Sequence, residues 1–465
     1  MRCSRRRGAG CRSSCPTSPP SANSGRGRRT SSRQTIPWRW PRPSTGWSAT
    51  RPGAARSVRR PRGARPTTRP SGRPARWPRS MPSFARSPKP SVPRGDMKVL
   101  FYTHSLVSDW NHGNAHFLRG VMRDLIQRGH EARALEPEGG WSRTNLEADQ
   151  GAAPVAAFAR TFPELVSTRY GAAFDHEAAL ADADVVVVHE WTEPALVARI
   201  GRARAAGGRF LLLFHDTHHR AVSADGEIGG LDLSGYDGVL AFGETLRETY
   251  LAAGWGRQVF TWHEAADDAL FRPVPSEIEG ELIWIGNWGD GERSAELSEF
   301  LIDPVARLGL AATVRGVRYP AEALERLAAA GIAYGGWIPN AEVPAAFGRH
   351  RVTVHVPRRP YVEALPGIPT IRVFEALACG IPLVSAPWSD CEGLFRTGTD
   401  YLVARTGAEM ERHLRAILHD RDLAEALAEH GLATIRSRHT CRHRVDELLA
   451  IVNRLGFPAA TAEVA

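Results

Sequence analysis

The chain has 465 residues and a formal net charge of +10 at pH 7, and this charge is unevenly distributed. Residues 1–96 contain 24 of the 60 Lys and Arg residues and a single acidic residue, Asp96, so the remaining residues carry a net charge of −13. No run of 18 or more apolar residues follows Met97, which excludes a hydrophobic helix of the length that a membrane span needs.

Residues 1–96 are rich in Arg, Pro, Ser and Gly and lack aliphatic runs, so this segment cannot bury a hydrophobic core. Dense Arg is typical of a nucleic-acid-binding arm, and an Arg- and Ser-rich composition with few acids is also typical of a transit peptide. We favour a third interpretation. GC-rich codons read in the wrong frame give this composition, so we expect that Met1 is a wrongly assigned start, that Met97 is the true one, and that no nucleic acid is bound.

Strands and helices alternate after Met97. Apolar runs of strand length predict strands at 98–103, 130–135, 184–189, 209–215 and 238–242. Apolar residues at helical spacing predict a helix at 113–129, and another helix is predicted to begin at Glu244. Continuous apolar strands separated by helices are typical of a parallel sheet covered on both faces. Residues 97–272 are therefore predicted to form a Rossmann-like, doubly wound domain.

The same alternation restarts after a Pro-rich stretch near residue 272. Strands are predicted at 281–286, 312–315, 332–334, 352–356, 381–385 and 401–404, and a long helical tail at about 408–455. Residues 273–465 thus form a second predicted Rossmann-like domain, and the tail is expected to close it and to cross back onto the first. Ligands of such sheets bind at the carboxyl ends of the strands, so we expect one cleft between the two domains.

The segment 369–395 carries the strongest functional signal. It predicts a short helix at 370–378 with Arg372 in the first turn and Glu375 three residues later, ended by Cys379-Gly380. The free amides of a helix N-terminus and a nearby cation attract phosphate, and a carboxylate accepts hydrogen bonds from sugar hydroxyls. The alternative is a surface ion pair worth roughly 0–1 kcal/mol. We favour a nucleotide-sugar site.

The residues R-x-F-E-A-L-A-C-G-x-P-L at 372–383 resemble the donor-binding signature of GT-B glycosyltransferases. The tail 438–445 is similar to the "HT…R" segment of their CgeB-like, spore-maturation branch. The resemblance covers roughly 97–452. It implies a GT-B fold, with an N-terminal acceptor domain and a C-terminal donor domain. It also implies metal-independent transfer of a sugar from a nucleoside-diphosphate-sugar, with no other cofactor.

Two glycine-containing loops are candidate phosphate or sugar contacts. Gly286 and Asn287 open a glycine-dense turn after a predicted strand, and Arg293 closes it, so its amides and cation can hold a diphosphate. The spacing is not that of a Walker loop. In the first domain, Gly113 and Asn114 precede the first helix and allow close approach to a ligand. The alternative there is an ordinary connection whose histidines, His116 among them, are merely exposed.

His215 and Asp216 end an apolar strand of the first domain. An imidazole beside a carboxylate can act as a general base, so we predict that one of them removes the acceptor proton. A metal cluster and a purely structural polar loop are the alternatives, and the resemblance argues against a metal.

The chain departs from the GT-B pattern at one position. Many retaining members carry a first Glu eight residues before the ribose-binding one, and Gly367 stands there in this sequence. The stereochemical outcome therefore stays open. Asp390 and Glu392, in the loop after the next strand, are candidate substitutes that accept hydrogen bonds from the sugar.

The predicted function is transfer of a sugar from a nucleoside-diphosphate-sugar to an unidentified glycan, protein or small-molecule acceptor. A nucleotide-sugar 2-epimerase and a non-catalytic nucleotide-sugar-binding scaffold are the alternatives. Cys379, Cys391 and Cys441 are too widely spaced for a disulfide framework or a zinc site, which favours a cytoplasmic location. Peripheral membrane contact and the oligomeric state are left open.

Overall fold

Two parallel β-sheets, one of seven strands and one of six, form the framework of the protein. The computed structural model describes residues 96–456, so the predicted basic segment lies outside the described residues except for Asp96. The strands of the first sheet are β1 Lys98–Tyr102, β2 Glu131–Pro137, β3 Val166–Tyr170, β4 Val185–His189, β5 Leu211–Asp216, β6 Gly238–Ala241 and β7 Val259–Thr261. The strands of the second sheet are β8 Gly280–Ile285, β9 Ala312–Arg315, β10 Ile332–Tyr334, β11 His350–His355, β12 Leu383–Ser385 and β13 Leu402–Val403.

Helices connect the strands and cover both faces of each sheet. In the first half they are α1 Ala115–Gln127, α2 Trp141–Gln150, α3 Ala153–Thr161, α4 His176–Ala181, α5 Pro194–Ala205, α6 Arg220–Ser223, α7 Asp225–Gly229 and α8 Glu244–Ala253. In the second half they are α9 Ser294–Leu297, α10 Asp303–Leu308, α11 Ala321–Ala329, α12 Val343–Gly348, α13 Arg359–Glu363, α14 Ile371–Ala378, α15 Gly407–His419, α16 Arg421–Arg438 and α17 Cys441–Arg454. A π-helical turn at Ser298–Ile302 joins α9 to α10, and a 3-10 turn at Asn340–Glu342 precedes α12.

The strand order explains the apolar runs of the sequence. The first sheet runs β3-β2-β1-β4-β5-β6-β7 and the second β10-β9-β8-β11-β12-β13, with every described pair parallel. The central strand β4 is buried along its whole length, as a strand covered by helices on both faces must be. The prediction of two doubly wound parallel sheets is confirmed.

The order of each sheet reverses at one place, between β1 and β4 in the first and between β8 and β11 in the second. Ligands of open parallel sheets bind outside the carboxyl ends of the strands at such a reversal. The loops that follow these four strands are therefore the expected positions of a ligand-binding site.

The end of the chain returns to the first half. The last helix, α17, packs against α1, so closely that a Cβ atom on Gly120 would lie 2.5 Å from Sγ of Cys441. The indole of Trp262, which follows β7, donates a hydrogen bond of 2.8 Å to the Arg444 carbonyl. The boundary at residue 272 stays a prediction.

Within residues 96–456, none of the helices combines the length and the apolar character that crossing a bilayer requires.

Candidate active site

The helix α14 presents the predicted donor pair to the junction between the two halves. The Arg372 guanidinium, in its first turn, donates a hydrogen bond to the Glu375 carboxylate. About a quarter of the Arg372 side chain is exposed (26%), whereas Glu375 is fully buried. The contact is therefore not the surface ion pair of the alternative interpretation, because the Glu375 carboxylate lies in the protein interior.

His116 completes this ion pair from the first half. Its Nδ1 atom lies 2.9 Å from the Glu375 carboxylate and 3.2 Å from the Gly113 carbonyl, and its side chain is fully buried. The alternative that left His116 exposed is wrong, because α1 turns this imidazole inward. Burial alone would raise the pKa of Glu375, but the charges of Arg372 and His116 bring that pKa below its ordinary value.

The predicted loop of the first half lies directly against this pair. A Cβ atom on Gly113 would lie 3.1 Å from Ile371 and 3.8 Å from the Arg372 guanidinium. Asn114 follows it as the residue that precedes α1, and lines a small cavity at the carboxyl end of the first sheet. The structure therefore brings Gly113, Arg372 and Glu375 together, with the backbone of Gly113 close to the second half.

The glycine-rich loop after β8 is held by its own side chains. The Arg293 guanidinium donates hydrogen bonds of 2.8 Å to the carbonyls of Asn287 and Val356, and lies 5.2 Å from the centre of the Trp284 ring. Burial lowers the pKa of Arg293 to about 9. Arg293, which was predicted to neutralise a diphosphate, thus donates its hydrogen bonds to backbone carbonyls of this loop and of the segment after β11.

The amide predicted to cradle a phosphate at the start of this loop is also engaged. The N–H of Gly286 donates to the Arg315 carbonyl at 2.9 Å, as a continuation of the sheet, so this amide is not free. The Asn287 side-chain amide donates to the side chain of Asn111 in the first half. Asn287 therefore joins the two halves, and the free amides of this loop can only come from later residues.

Arg358 is a cation of this region that the sequence reasoning missed. It follows β11 and donates to Glu292 at 2.7 Å and to the Asn287 side chain at 3.1 Å. Glu292 also lies 3.5 Å from His219 of the first half. Burial opposes ionisation of Glu292, but His219 and Arg358 lower its pKa to about 2. The sequence signal that could have revealed it is the pair of adjacent arginines, Arg358 and Arg359, shortly after the predicted strand at 352–356.

His215 and Asp216 do not form the predicted acid-base pair. Successive residues of a strand point to opposite faces, and these two are adjacent in β5. Asp216 is fully buried and accepts hydrogen bonds from the Tyr250 hydroxyl at 2.7 Å and from the His218 amide at 3.0 Å. Burial, together with Glu190, raises the pKa of Asp216 to about 7. Asp216 therefore cannot orient the His215 ring.

His215 lies on the opposite face of β5 from Asp216. It lines the small cavity at the carboxyl ends of β1 and β4, where the strand order of the first sheet reverses. Its Nε2 atom is buried and has no hydrogen-bond partner among residues 96–456, and its ring centre lies 4.8 Å from that of Trp262. Burial lowers the pKa of His215 well below its ordinary value, so the ring is neutral. The lowered pKa makes this ring a weaker base than an ordinary imidazole, and the role of His215 as the base stays a prediction.

The loop after β12 uses its two acids for other contacts. Asp390 accepts hydrogen bonds from the amides of Leu394 at 2.9 Å and Phe395 at 2.7 Å, and thus stabilises its own turn. Glu392 lies 2.7 Å from His263 Nε2 and accepts from the Glu244 amide at 2.9 Å. The carboxylate of Glu392 therefore bridges the second half to the first.

Over the part of the chain that the structure describes, no group of three or more His, Cys, Asp or Glu residues is placed to hold a metal ion. The neighbouring histidines 104, 112, 189 and 215 approach one another through ring edges instead.

Residues 293–450 match a protein-family model described as "Glycosyl transferase-like", and no curated protein matches the sequence. Among solved structures, HepE from Anabaena in complex with UDP and glucose is similar, with a TM-score of 0.55 and 15% identity over 77% of this chain and 99% of that one. An α-glucosyltransferase in complex with UDP-glucose and DNA containing an abasic site has a TM-score of 0.58 and 12% identity over 77% and 100%. Sucrose-phosphate synthase from Thermosynechococcus elongatus has a TM-score of 0.54 and 12% identity, over 77% of this chain and 99% of that one.

These likenesses establish the class of fold. The protein has the GT-B architecture, two Rossmann-like sheets whose carboxyl ends face each other, as the sequence predicted. The family match covers Arg293, Arg372 and Glu375, and together with the fold it supports glycosyl transfer, with the acceptor unidentified.

Proposed function

We propose that the protein transfers a sugar from a nucleoside-diphosphate-sugar to an acceptor hydroxyl between its two halves. The observation that carries the proposal is the ion pair of Arg372 and Glu375 at the start of α14, completed by His116 from the opposite half. It lies within the segment that resembles glycosyl transferases, at the carboxyl ends of both sheets.

Two partly exposed cations are suited to a leaving diphosphate. Arg372 and Arg358 have side-chain exposures of 26% and 19%. Arg372 lies in the first turn of α14, and Arg358 immediately precedes α13. Cations held in place before the reaction stabilise the charge that develops on the leaving group. Arg293 supports them by fixing the loop carbonyls, and Glu375 would exchange part of its contact with Arg372 for a ribose hydroxyl.

The proposal includes narrower features that the resemblance implies. We assign the protein to the CgeB-like branch, with a donor that binds without a metal ion and no cofactor besides the donor. UDP is the first nucleotide to test, because similar structures were solved with UDP or UDP-glucose. His215, on the first sheet, is the proposed acceptor-side base.

Thermal unfolding of the full chain with UDP, GDP, TDP, CDP and ADP tests the donor site, without and with EDTA. Ligand at about 100 times Kd adds about 2.7 kcal/mol, which raises Tm by a few degrees. One nucleotide should raise Tm in both buffers, and the shift should shrink in Glu375→Gln. No shift with any nucleotide would reject the proposal. A UDP-sugar that isomerises without an acceptor would identify an epimerase instead.

A further inference from the structure

Glu264 is a buried carboxylate that none of the roles above uses. It follows β7, is 3% exposed, and its Oε1 atom has no hydrogen-bond partner among the described residues. A buried carboxyl oxygen without a hydrogen-bond partner is costly, because it loses its hydration without compensation. A buried group without a partner calls for an explanation, and a ligand that supplies the missing hydrogen bond is one, which makes Glu264 a candidate binding residue.

The charges around Glu264 come from both halves of the molecule. Glu375 and Arg372 act on it from the second half and Glu190 acts on it from the first. Both carboxylates disfavour a further negative charge at Glu264, and Arg372 offsets them only in part. A phosphate is therefore disfavoured there, whereas a neutral hydroxyl that donates a hydrogen bond fits. Burial, reinforced by Glu375 and Glu190, raises the pKa of Glu264 well above its ordinary value.

The position at which related enzymes carry a sugar-binding Glu cannot serve here. Gly367 has a φ of +90°, and a Cβ atom there would lie 2.8 Å from Sγ of Cys391 and 2.9 Å from Cγ of Glu392. A Glu at this position would be strained and crowded, so a group that contacts the transferred sugar must come from another segment.

We propose that Glu264 forms a hydrogen bond with a hydroxyl of the transferred sugar. It would thus replace the sugar-binding Glu that related enzymes carry at the position of Gly367. The neighbouring residue His263 lies 2.7 Å from Glu392, the same side chain that a Cβ atom at position 367 would approach, so the segment of Glu264 lies close to Gly367. This inference rests on the proposed function, because it places the donor sugar between α14 and the end of β7. It adds a residue from the first half to the donor site, so that nucleotide and sugar are recognised from different halves.

The test compares UDP with UDP-sugars in calorimetric titrations of the full chain. UDP, UDP-glucose, UDP-galactose and UDP-N-acetylglucosamine are titrated into the wild type, Glu264→Gln and Glu264→Met. Glu277→Gln, at an exposed position, is the matched control. We expect that the affinity for UDP is unchanged in every variant. The affinity for the preferred UDP-sugar should fall about tenfold or more in Glu264→Met and less in Glu264→Gln, whose amide still forms a hydrogen bond.

Stability separates this role from a structural one. Because the Oε1 atom has no partner, Glu264→Met should unfold at the same temperature as the wild type or a higher one. A lower Tm or a failure to fold, an unchanged affinity for the UDP-sugar, or an equal loss of UDP affinity would each overturn the inference. So would a wild type that binds no UDP-sugar more tightly than UDP. The proposed function fails separately, if no nucleotide binds at all.

Discussion

Nδ1 of His116 lies 2.9 Å from the carboxylate of Glu375, and both side chains are fully buried. His116 belongs to α1 of the first half and Glu375 to α14 of the second. The helix that carries the donor signature is therefore completed by a residue of the opposite half, and the ion pair couples the packing of the two halves to the donor site.

Replacing His116 with Ala should lower the free energy of unfolding by about 1–3 kcal/mol, because it removes a buried side chain that contacts Glu375, although Arg372 still pairs with that carboxylate. Urea unfolding measures this change. His430→Ala is the control at an exposed position of α16, and should stay within about 0.5 kcal/mol of the wild type. Equal stabilities of the two variants would show that the contact contributes nothing.

Arg372 and Arg293 should respond differently to replacement by Lys. Arg372→Lys should weaken UDP binding about tenfold with little change in Tm, since a partly exposed guanidinium loses its planar contacts with a diphosphate. Arg293→Lys should instead lower Tm, because its guanidinium holds two loop carbonyls. Titration calorimetry and thermal unfolding are measured on both. Arg421→Lys, with 87% side-chain exposure, serves as the control. The opposite pattern would assign diphosphate binding to Arg293.

Asp216 predicts a pH dependence of stability. Its pKa is raised from 3.8 to about 7 in the folded protein, so between these pH values the folded state keeps a proton that the unfolded state has lost. The contribution of Asp216 to stability should therefore fall as pH rises through this window, by at most roughly 1.4 kcal/mol per pH unit for one proton.

Asp216→Asn removes that proton uptake. Relative to the wild type, the variant should become more stable as pH rises from 4 to 7, in urea unfolding at fixed ionic strength. Glu190, whose pKa is also raised to about 7, and buried histidines such as His215, whose pKa is lowered, titrate in both proteins, so the difference between the two curves reports Asp216. Parallel curves for the two proteins would contradict the prediction.

Gly367→Ala should destabilise the protein by about 1–3 kcal/mol, because a side chain there combines a positive φ with close contacts. Gly398→Ala separates these causes, since Gly398 has a φ of +83° but no atom within 4 Å of the position that a Cβ would take. Chemical denaturation of both should show the larger loss at position 367. A smaller loss of stability at position 367 would mean that the side chains of Cys391 and Glu392 move aside at little cost in free energy.

Strand positions could be predicted because the apolar runs are long and the helices between them are amphipathic. The runs at 312–315 and 332–334 coincide with β9 and β10. The strand β3 was missed, since it lies at the sheet edge and three of its five residues are exposed, which leaves no apolar run.

The site could be predicted only where one segment carries the chemistry. Arg372 and Glu375 lie in one helical turn, so their contact follows from sequence spacing. His116 and Glu264 could not be paired with them, because they are more than a hundred residues away in the chain. The hydrogen-bond partners of Asp216 and Arg293 could not be predicted for another reason: these partners, Tyr250 and Val356, are set by the packing of distant elements.

The chain passes between the two halves at two places, and the structure ties these crossings together. The N–H of Ala266, after β7, donates to the His439 carbonyl at 3.0 Å, and the N–H of Cys441 donates to the Ala266 carbonyl at 2.9 Å. Both connections thus run side by side next to the base of α17. A rotation of one half against the other would therefore pivot there, and it would have to break the contact between Asn111 and Asn287.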